Sequence, residues 1–283
     1  MSLWLLFALI AGLFYTGQGL LTRHILRTNK DAWAFSFYFS LVGALVSLPF
    51  MISSPTIPHT WQPWALTGLV GLLIVGQNLL NFKSSNFIEA SVSGAITKFR
   101  LVWVFILGIL ILHEVFSFQK LLGTLLTIAA GLLIVHKFKR PKSFEGVSLA
   151  FFATILYAVV IILYKYLFSS FNSVSLTFFV TFLPAVVINF LIMPHAFSRI
   201  RSLFQTDGLF LSIACVLGAV ANLALNAALS GGEASRVLVI IEAFLIFTLV
   251  GEHIFLKEKE QVWIKAGAVV FAVAGAILIR LSH

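Results

Sequence analysis

Residues 89–103 read EASVSGAITKFRLVW, and residues 233–247 read EASRVLVIIEAFLIF. Both stretches begin with Glu-Ala-Ser, and they lie 144 positions apart (233 minus 89). Other residues match at the same offset without a gap: Asn78 with Asn222, Leu79 with Leu223, Glu114 with Glu258, Gly123 with Gly267, and Gly131 with Gly275. In this register Lys98 stands opposite Glu242, so the charge reverses between the two copies. Internal duplication of this length predicts a fold built from two similar halves.

The composition predicts a membrane protein. Of 283 residues, 60% are hydrophobic and only 10% charged, whereas a soluble domain is about half apolar and a quarter charged. The apolar residues form long runs, as in membrane helices, and not the short alternating strands of a barrel. The net charge of +9 comes from basic residues between these runs, which indicates anchoring in a lipid bilayer and argues against nucleic-acid binding.

The chain contains ten runs long enough to approach the roughly 20 residues that a spanning helix needs. They cover residues 3–22, 32–52, 63–82, 90–112, 119–136, 145–168, 174–194, 208–229, 235–256 and 262–281. The first run is predicted to be a helix and not a cleaved signal, because no basic segment precedes it. The fold predicted is all-α and integral to the membrane, with multiple passes through the plasma (inner) membrane.

A basic linker divides the ten runs into two sets of five. We predict a first repeat at residues 1–136, a linker at 137–144 and a second repeat at 145–283. Because each half has an odd number of helices, the second half enters the membrane upside down, which makes the repeats inverted. Most Lys and Arg residues fall on the face opposite the termini, and by the positive-inside rule this places the termini outside the cytoplasm.

The segment from Asn78 to Val135 and its copy from Asn222 to Ile279 resemble the EamA repeat of the drug/metabolite transporter superfamily. The shared features are a small-residue turn, a long apolar helix, a Glu at its far end and a Gly-rich helix. Family members usually show Gly-Glu-Arg at that helix end. Here the triplets are His113-Glu114-Val115 and Lys257-Glu258-Lys259, so only the Glu is kept.

The resemblance implies ten helices, a central cavity between the halves and transport of small organic solutes such as amino acids. Similar ten-helix members are usually described with both termini in the cytoplasm, which conflicts with the charge distribution, so the orientation stays open. The substrate and the oligomeric state stay open as well.

Lys98 and Glu242 are the leading candidates for a functional site. Each lies well inside an apolar run, where a charge is costly unless it is paired or faces water. Three interpretations remain. The pair is a structural bolt between the halves; it binds a charged substrate in a cavity; or Glu242 carries coupling protons. Arg100 lies about 200° further round a regular helix, so we expect it to face away from Lys98.

Polar residues on other helices are further candidates for substrate binding. The candidates are Asn78 and Asn81 on helix three, Asn222 and Asn226 on helix eight, Gln18 and Tyr15 on helix one, and Tyr157 on helix six. Each Asn pair is spaced by about one turn, which predicts either cavity lining or hydrogen bonds between helices.

The acidic residues at helix ends have a structural interpretation. Glu89 and Glu233 precede helices four and nine, where acids and hydroxyls satisfy free N–H groups, although Glu233 is also a candidate guard of the cavity mouth. Glu114 and Glu258 are predicted to be structural or gate elements.

Enzymatic function is not expected. Asp31 and Asp207 lie between apolar runs, no metal-binding His spacing occurs, and the phosphate-binding Gly-rich motif is missing. The single Cys215 forms no internal disulfide, and no cofactor or metal is predicted. The leading interpretation is a secondary transporter that exports a small charged or zwitterionic, amino-acid-like metabolite by alternating access, with protons as the candidate coupling ion. The alternative is a non-transporting scaffold or receptor with a structural Lys98–Glu242 pair.

Overall fold

The computed structural model describes residues 3–28, 31–51, 57–84, 87–88, 93, 96–134, 143–244 and 262–281. These residues form helices α1 (Leu3–Thr28), α2 (Ala32–Ser47), α3 (Trp61–Ser84), α4 (Arg100–Leu112), α5 (Phe118–Ile134), α6 (Phe144–Phe171), α7 (Val174–Ile192), α8 (Ala196–Gly231), α9 (234–244) and α10 (Val262–Leu281). The predicted linker residues 137–142, and also Glu89, Ser91 and Glu258, lie outside the described residues.

Six of the described helices are long and apolar enough to cross a membrane: α1, α2 with the turn that follows it, α3, α6, α7 and α8. Helices α4 and α5 and the apolar part of α10 are shorter, at 10 to 17 residues. The all-helical membrane architecture predicted from the sequence is thus present, with described helices shorter than the predicted spans at α4 and α5.

Helix α8 begins earlier than predicted. Residues 195–207 were expected to form a connection, but Ala196 already starts the helix, which is interrupted only by the non-helical backbone at Asp207. The reason is an amphipathic pattern: Leu203 is buried, while Arg199 pairs with Asp31 at the start of α2. The polar face of this segment makes it read as a loop in a hydropathy scan.

The strongest helix contacts join one half of the sequence to the other. Helix α1 packs on α8, and its counterpart α6 packs on α3. Helix α2 packs on α7 and α8, and α3 packs on α7. Helix α5 packs on α10. Each helix of the first half has a counterpart five places along, such as α6 for α1 and α7 for α2. Replacing every helix by its counterpart gives the same set of pairs. Two large apolar clusters, built from residues of both halves, hold these contacts together.

Helices α5 and α10 meet so closely that their backbones touch. A Cβ atom added at Gly275 would lie 2.6 Å from the Thr127 hydroxyl oxygen and 2.7 Å from the Gly123 carbonyl oxygen. A Cβ at Gly123 would lie 2.7 Å from the Gly275 carbonyl oxygen in return. Small residues permit such close approach of membrane helices, where packing supplies much of the association free energy.

Replacing Gly275 by Ala should therefore push the two helices apart. We expect the Gly275→Ala variant to lose about 1–3 kcal/mol of stability, since a Cβ atom there would meet the Thr127 hydroxyl and, almost as closely, the Gly123 carbonyl, which is backbone and cannot rotate away. Thermal unfolding followed by size-exclusion chromatography measures this loss. Gly267→Ala on the same helix is the matched control, because a Cβ there meets nothing within 4 Å. Equal stability of the two variants would contradict the close contact between the backbones of α5 and α10.

Candidate functional site

The structure brings Lys98 and Glu242 together between the two halves. The Lys98 ammonium lies 2.5 Å from Glu242 Oε2, and it also donates to the Glu242 backbone carbonyl at 3.3 Å. Both residues are buried. Burial of a lone charge in a membrane protein is costly, so each side chain holds the other in place. A role in substrate binding stays a prediction.

Arg100 joins the same pair, and the expectation that it faces away was wrong. Its guanidinium forms an ion pair with Glu242 Oε1, so each carboxylate oxygen meets one cation. The expectation assumed a regular helix through both residues. Instead, Lys98 and Phe99 form a turn, and α4 begins only at Arg100. The 100° step per residue does not apply across that turn. We call Lys98, Arg100 and Glu242 the central triad.

A glycine of α5 makes room for the Lys98 side chain. A Cβ atom at Gly131 would lie 2.7 Å from Lys98 Cγ and 3.2 Å from its Cε. The methylene chain of Lys98 thus lies against bare backbone of α5 on its way to Glu242. At this repeated position, Gly131 faces Lys98, whereas its counterpart Gly275 faces the α5 backbone.

An aromatic and polar wall adjoins the central triad. The Arg100 guanidinium carbon lies 4.6 Å from the centre of the Tyr157 ring, a cation–π contact. The Tyr15 hydroxyl donates to Asn222 Oδ1 at 2.9 Å. Tyr15 lies close enough to Tyr157 and Arg100 to interact with them electrostatically. Three predicted residues, from α1, α6 and α8, therefore converge beside the triad.

The remaining predicted residues make other contacts. Gln18 donates to the Thr22 hydroxyl one turn along α1, at 3.2 Å. Asn78 and Asn226 are buried, and within the described residues Asn78 Nδ2 and Asn226 Oδ1 have no hydrogen-bond partner. Asn81 is partly buried on α3, and its backbone carbonyl accepts from the Ser84 hydroxyl.

A second cross-link between the halves lies where α4 ends and α9 begins. Glu114 Oε1 accepts from the Ala234 N–H at 2.5 Å, and Oε2 accepts from the Ser235 hydroxyl at 2.6 Å and its N–H at 3.3 Å. The chain directs Glu114 there through left-handed backbone at His113. An acid near a helix N-terminus is stabilised by its free N–H groups. We call Glu114, Ala234 and Ser235 the Glu114 clasp.

Basic residues surround the Glu114 clasp. Lys165 Nζ donates to the Gly232 carbonyl at 2.7 Å and lies 4.0 Å from Glu114 Oε1. Lys120, which is almost fully buried, pairs with Glu233 at 2.6 Å, and so does Arg236. The sequence suggested that Glu233 satisfies the free N–H groups at the start of α9. In the structure Glu114, from the other half, accepts hydrogen bonds from these groups. A cavity of about 470 Å³ opens here, lined by residues 111–115, 165–166, 169 and 233.

The triad and the clasp show that α4 and α9 run antiparallel. Arg100 at the start of α4 meets Glu242, while Glu114 after its end meets Ala234. The two cross-links are separated by eight residues of α9, which is about 12 Å. At the opposite end of α8, the Arg199 guanidinium binds Asp31 with two hydrogen bonds, of 2.6 and 2.7 Å.

The fold and the buried charges between its halves define a polytopic helical membrane protein with a polar centre, an arrangement found in transporters. The chain belongs to the EamA-like transporter family, whose model matches residues 2–136 and again residues 144–281. The resemblance inferred from the repeat is therefore confirmed. The family is one of transporters, in keeping with the prediction of a non-enzyme, and among the residues described no His, Cys, Asp or Glu cluster suited to a metal ion occurs.

The fold is similar to that of a solved protein described only as "Crystal structure of protein". The TM-score is 0.74 at 13% sequence identity, over 97% of this chain and 95% of that chain. At that identity the likeness shows the fold alone. No curated protein matches this sequence.

Proposed function

We propose that this protein is a secondary transporter that moves a small charged metabolite across the plasma (inner) membrane by alternating access, with the central triad at its binding site. The observation that carries the proposal is the meeting of Lys98 and Arg100 with Glu242, buried at the contact of the two halves. Charges at membrane depth mark substrate and ion pathways. Tyr15, Tyr157 and Asn222 would complete the site.

The cross-links support a mechanism in which two helix groups move apart. Helix α4 packs on α6, and α9 packs on α1, where a Cβ at Gly12 would lie 2.6 Å from Phe244 Cβ. The first helix group is α4 with α6, and the second is α9 with α1. The central triad and the Glu114 clasp both join the first group to the second. The antiparallel course of α4 and α9 is what inverted repeats require. We infer that this conformation, with both cross-links closed, is the occluded state of the proposed cycle.

The closed triad is also what a non-transporting scaffold predicts. The cavity of about 470 Å³ is lined by residues of the clasp end and not by Lys98 or Glu242. By that observation alone the scaffold would be favoured. Membership of a transporter family outweighs it, because an occluded transporter closes its centre in the same way.

Reconstitution of the full chain in liposomes tests the proposal. Vesicles loaded with a defined mixture of small metabolites should release at least one of them faster than protein-free vesicles, with saturation and counterflow. An imposed pH gradient in the same vesicles tests protons as the coupling ion. Release equal to that of protein-free vesicles for every compound would favour the scaffold.

A further inference from the structure

The central triad carries more positive than negative charge. Two cations, Lys98 and Arg100, share the single carboxylate of Glu242, and both of its oxygens are occupied. The described neighbours Tyr15, Tyr157 and Asn222 are neutral polar groups that supply no further acid. The described centre of the bundle therefore holds one positive charge in excess of its acids, in surroundings of low polarity where that excess is poorly screened.

Arg100 is the member of the triad with the most accessible surface. Its side chain is 19% exposed, against 9% for Lys98 and none for Glu242. Its guanidinium carbon lies 4.6 Å from the centre of the Tyr157 ring, so an aromatic ring borders the group beside its ion pair with Glu242. A planar guanidinium binds carboxylates and phosphates through two parallel hydrogen bonds. An incoming oxyanion can thus replace Glu242 on Arg100 while Lys98 retains the Glu242 carboxylate.

We propose that the triad selects substrates with a net negative charge, and that Arg100 binds their carboxylate or phosphate group. This inference rests on the proposed transport function. An anion neutralises the excess charge of the triad, whereas a zwitterion leaves that charge in place and an amine increases it. Arg100 is then the residue that determines specificity, and displacement of Glu242 from Arg100 loosens the link between α4 and α9.

Efflux from proteoliposomes tests the selectivity. Vesicles are loaded with a size-matched mixture of organic acids, phosphate monoesters, zwitterionic amino acids and amines, and the released compounds are quantified by mass spectrometry. We expect wild-type protein to release one of the two anionic groups about tenfold to a hundredfold faster than zwitterions, in line with one charge-assisted contact. The two anionic groups distinguish carboxylate from phosphate substrates.

Substitutions at Arg100 sharpen the test. Arg100→Gln leaves a neutral Lys98–Glu242 pair, so preference should move from anions to zwitterions. Arg100→Lys keeps the charge and should keep the anion preference at a lower rate. Arg201→Gln, at an exposed position of α8, is the matched control and should behave as wild type. Chromatographic profiles of each variant establish folding, and the wild-type preference is decisive even if Arg100→Gln does not fold.

The outcomes separate this inference from the proposed function. Faster release of zwitterions or amines than of anions by wild-type protein would overturn the inference while transport stands. An Arg100→Gln variant that folds and keeps the wild-type anion preference would also overturn it. Release of no compound at all would remove the proposed function, and this inference with it.

Discussion

The Glu242→Gln variant is expected to lose about 3–5 kcal/mol of stability, because Lys98 and Arg100 would stay buried with no counter-charge. Breaking one partner of a buried ion cluster costs more than the cluster itself contributes, since the remaining charges are left without water. Thermal unfolding in detergent, followed by size-exclusion chromatography, measures the effect.

The control for Glu242→Gln is Glu145→Gln at the surface. Glu145 lies 3.8 Å from Lys83, and both side chains are more than half exposed. Loss of such a pair changes stability by less than about 1 kcal/mol. If the two variants unfold at the same temperature, Glu242 does not hold the buried cations.

Removing all three charges of the central triad distinguishes a purely structural ion cluster from a substrate-binding site. In a variant with Lys98→Met, Arg100→Met and Glu242→Met, stability should return close to that of wild type, because apolar side chains of similar volume replace a buried ion cluster at little cost. Transport should be lost if the triad binds the substrate. A folded triple variant that transports at the wild-type rate would show that the triad only joins the halves.

The Glu114→Gln variant is expected to open the clasp. Gln keeps the shape of the side chain but loses the charge that strengthens the bonds to Ala234 and Ser235, and its amide N–H groups oppose theirs. Hydrogen bonds to charged groups contribute about 1.5–3 kcal/mol each, so the open population should rise about tenfold or more.

Thiol labelling detects that opening. A Cys215→Ala background removes the native thiol, which is buried, and Ala234→Cys then reports on the clasp, because the Ala234 side chain is fully buried. A membrane-impermeant thiol reagent should label Ala234→Cys about tenfold faster when Glu114→Gln is also present. Ser230→Cys, at an exposed position, should react equally in both backgrounds. Unchanged labelling at position 234 would mean that Glu114 does not close this end.

A contact between Lys98 and Glu242 was among the interpretations that the sequence left open, and it has a simple physical reason. Each charge lies deep in an apolar run and has few possible partners, so pairing is nearly forced. The duplication added the register that places the two opposite each other. The same reasoning identified the helices, since long apolar runs between basic segments leave little choice of structure.

Arg100 and the clasp were harder to predict because they depend on local and long-range geometry. The turn at Lys98 and Phe99 leaves no mark in the hydropathy pattern, and a regular helix is the default expectation there. Glu114 was predicted to be a structural or gate element, but its partners, 120 and 121 residues further along the chain, were not. Helix N-termini usually find caps nearby in sequence, so a cap from the other half is invisible to motif searches.

The close seam between Gly123 and Gly275 has a mechanical consequence. Where the two backbones touch, only the Ile279 and Thr127 side chains border the contact, so the helices can pivot against each other more easily than they can slide or separate. The contact between α5 and α10 thus acts as a pivot axis. If the halves rock during transport, α5 and α10 should keep their spacing throughout the cycle while distances across the Glu114 clasp change most.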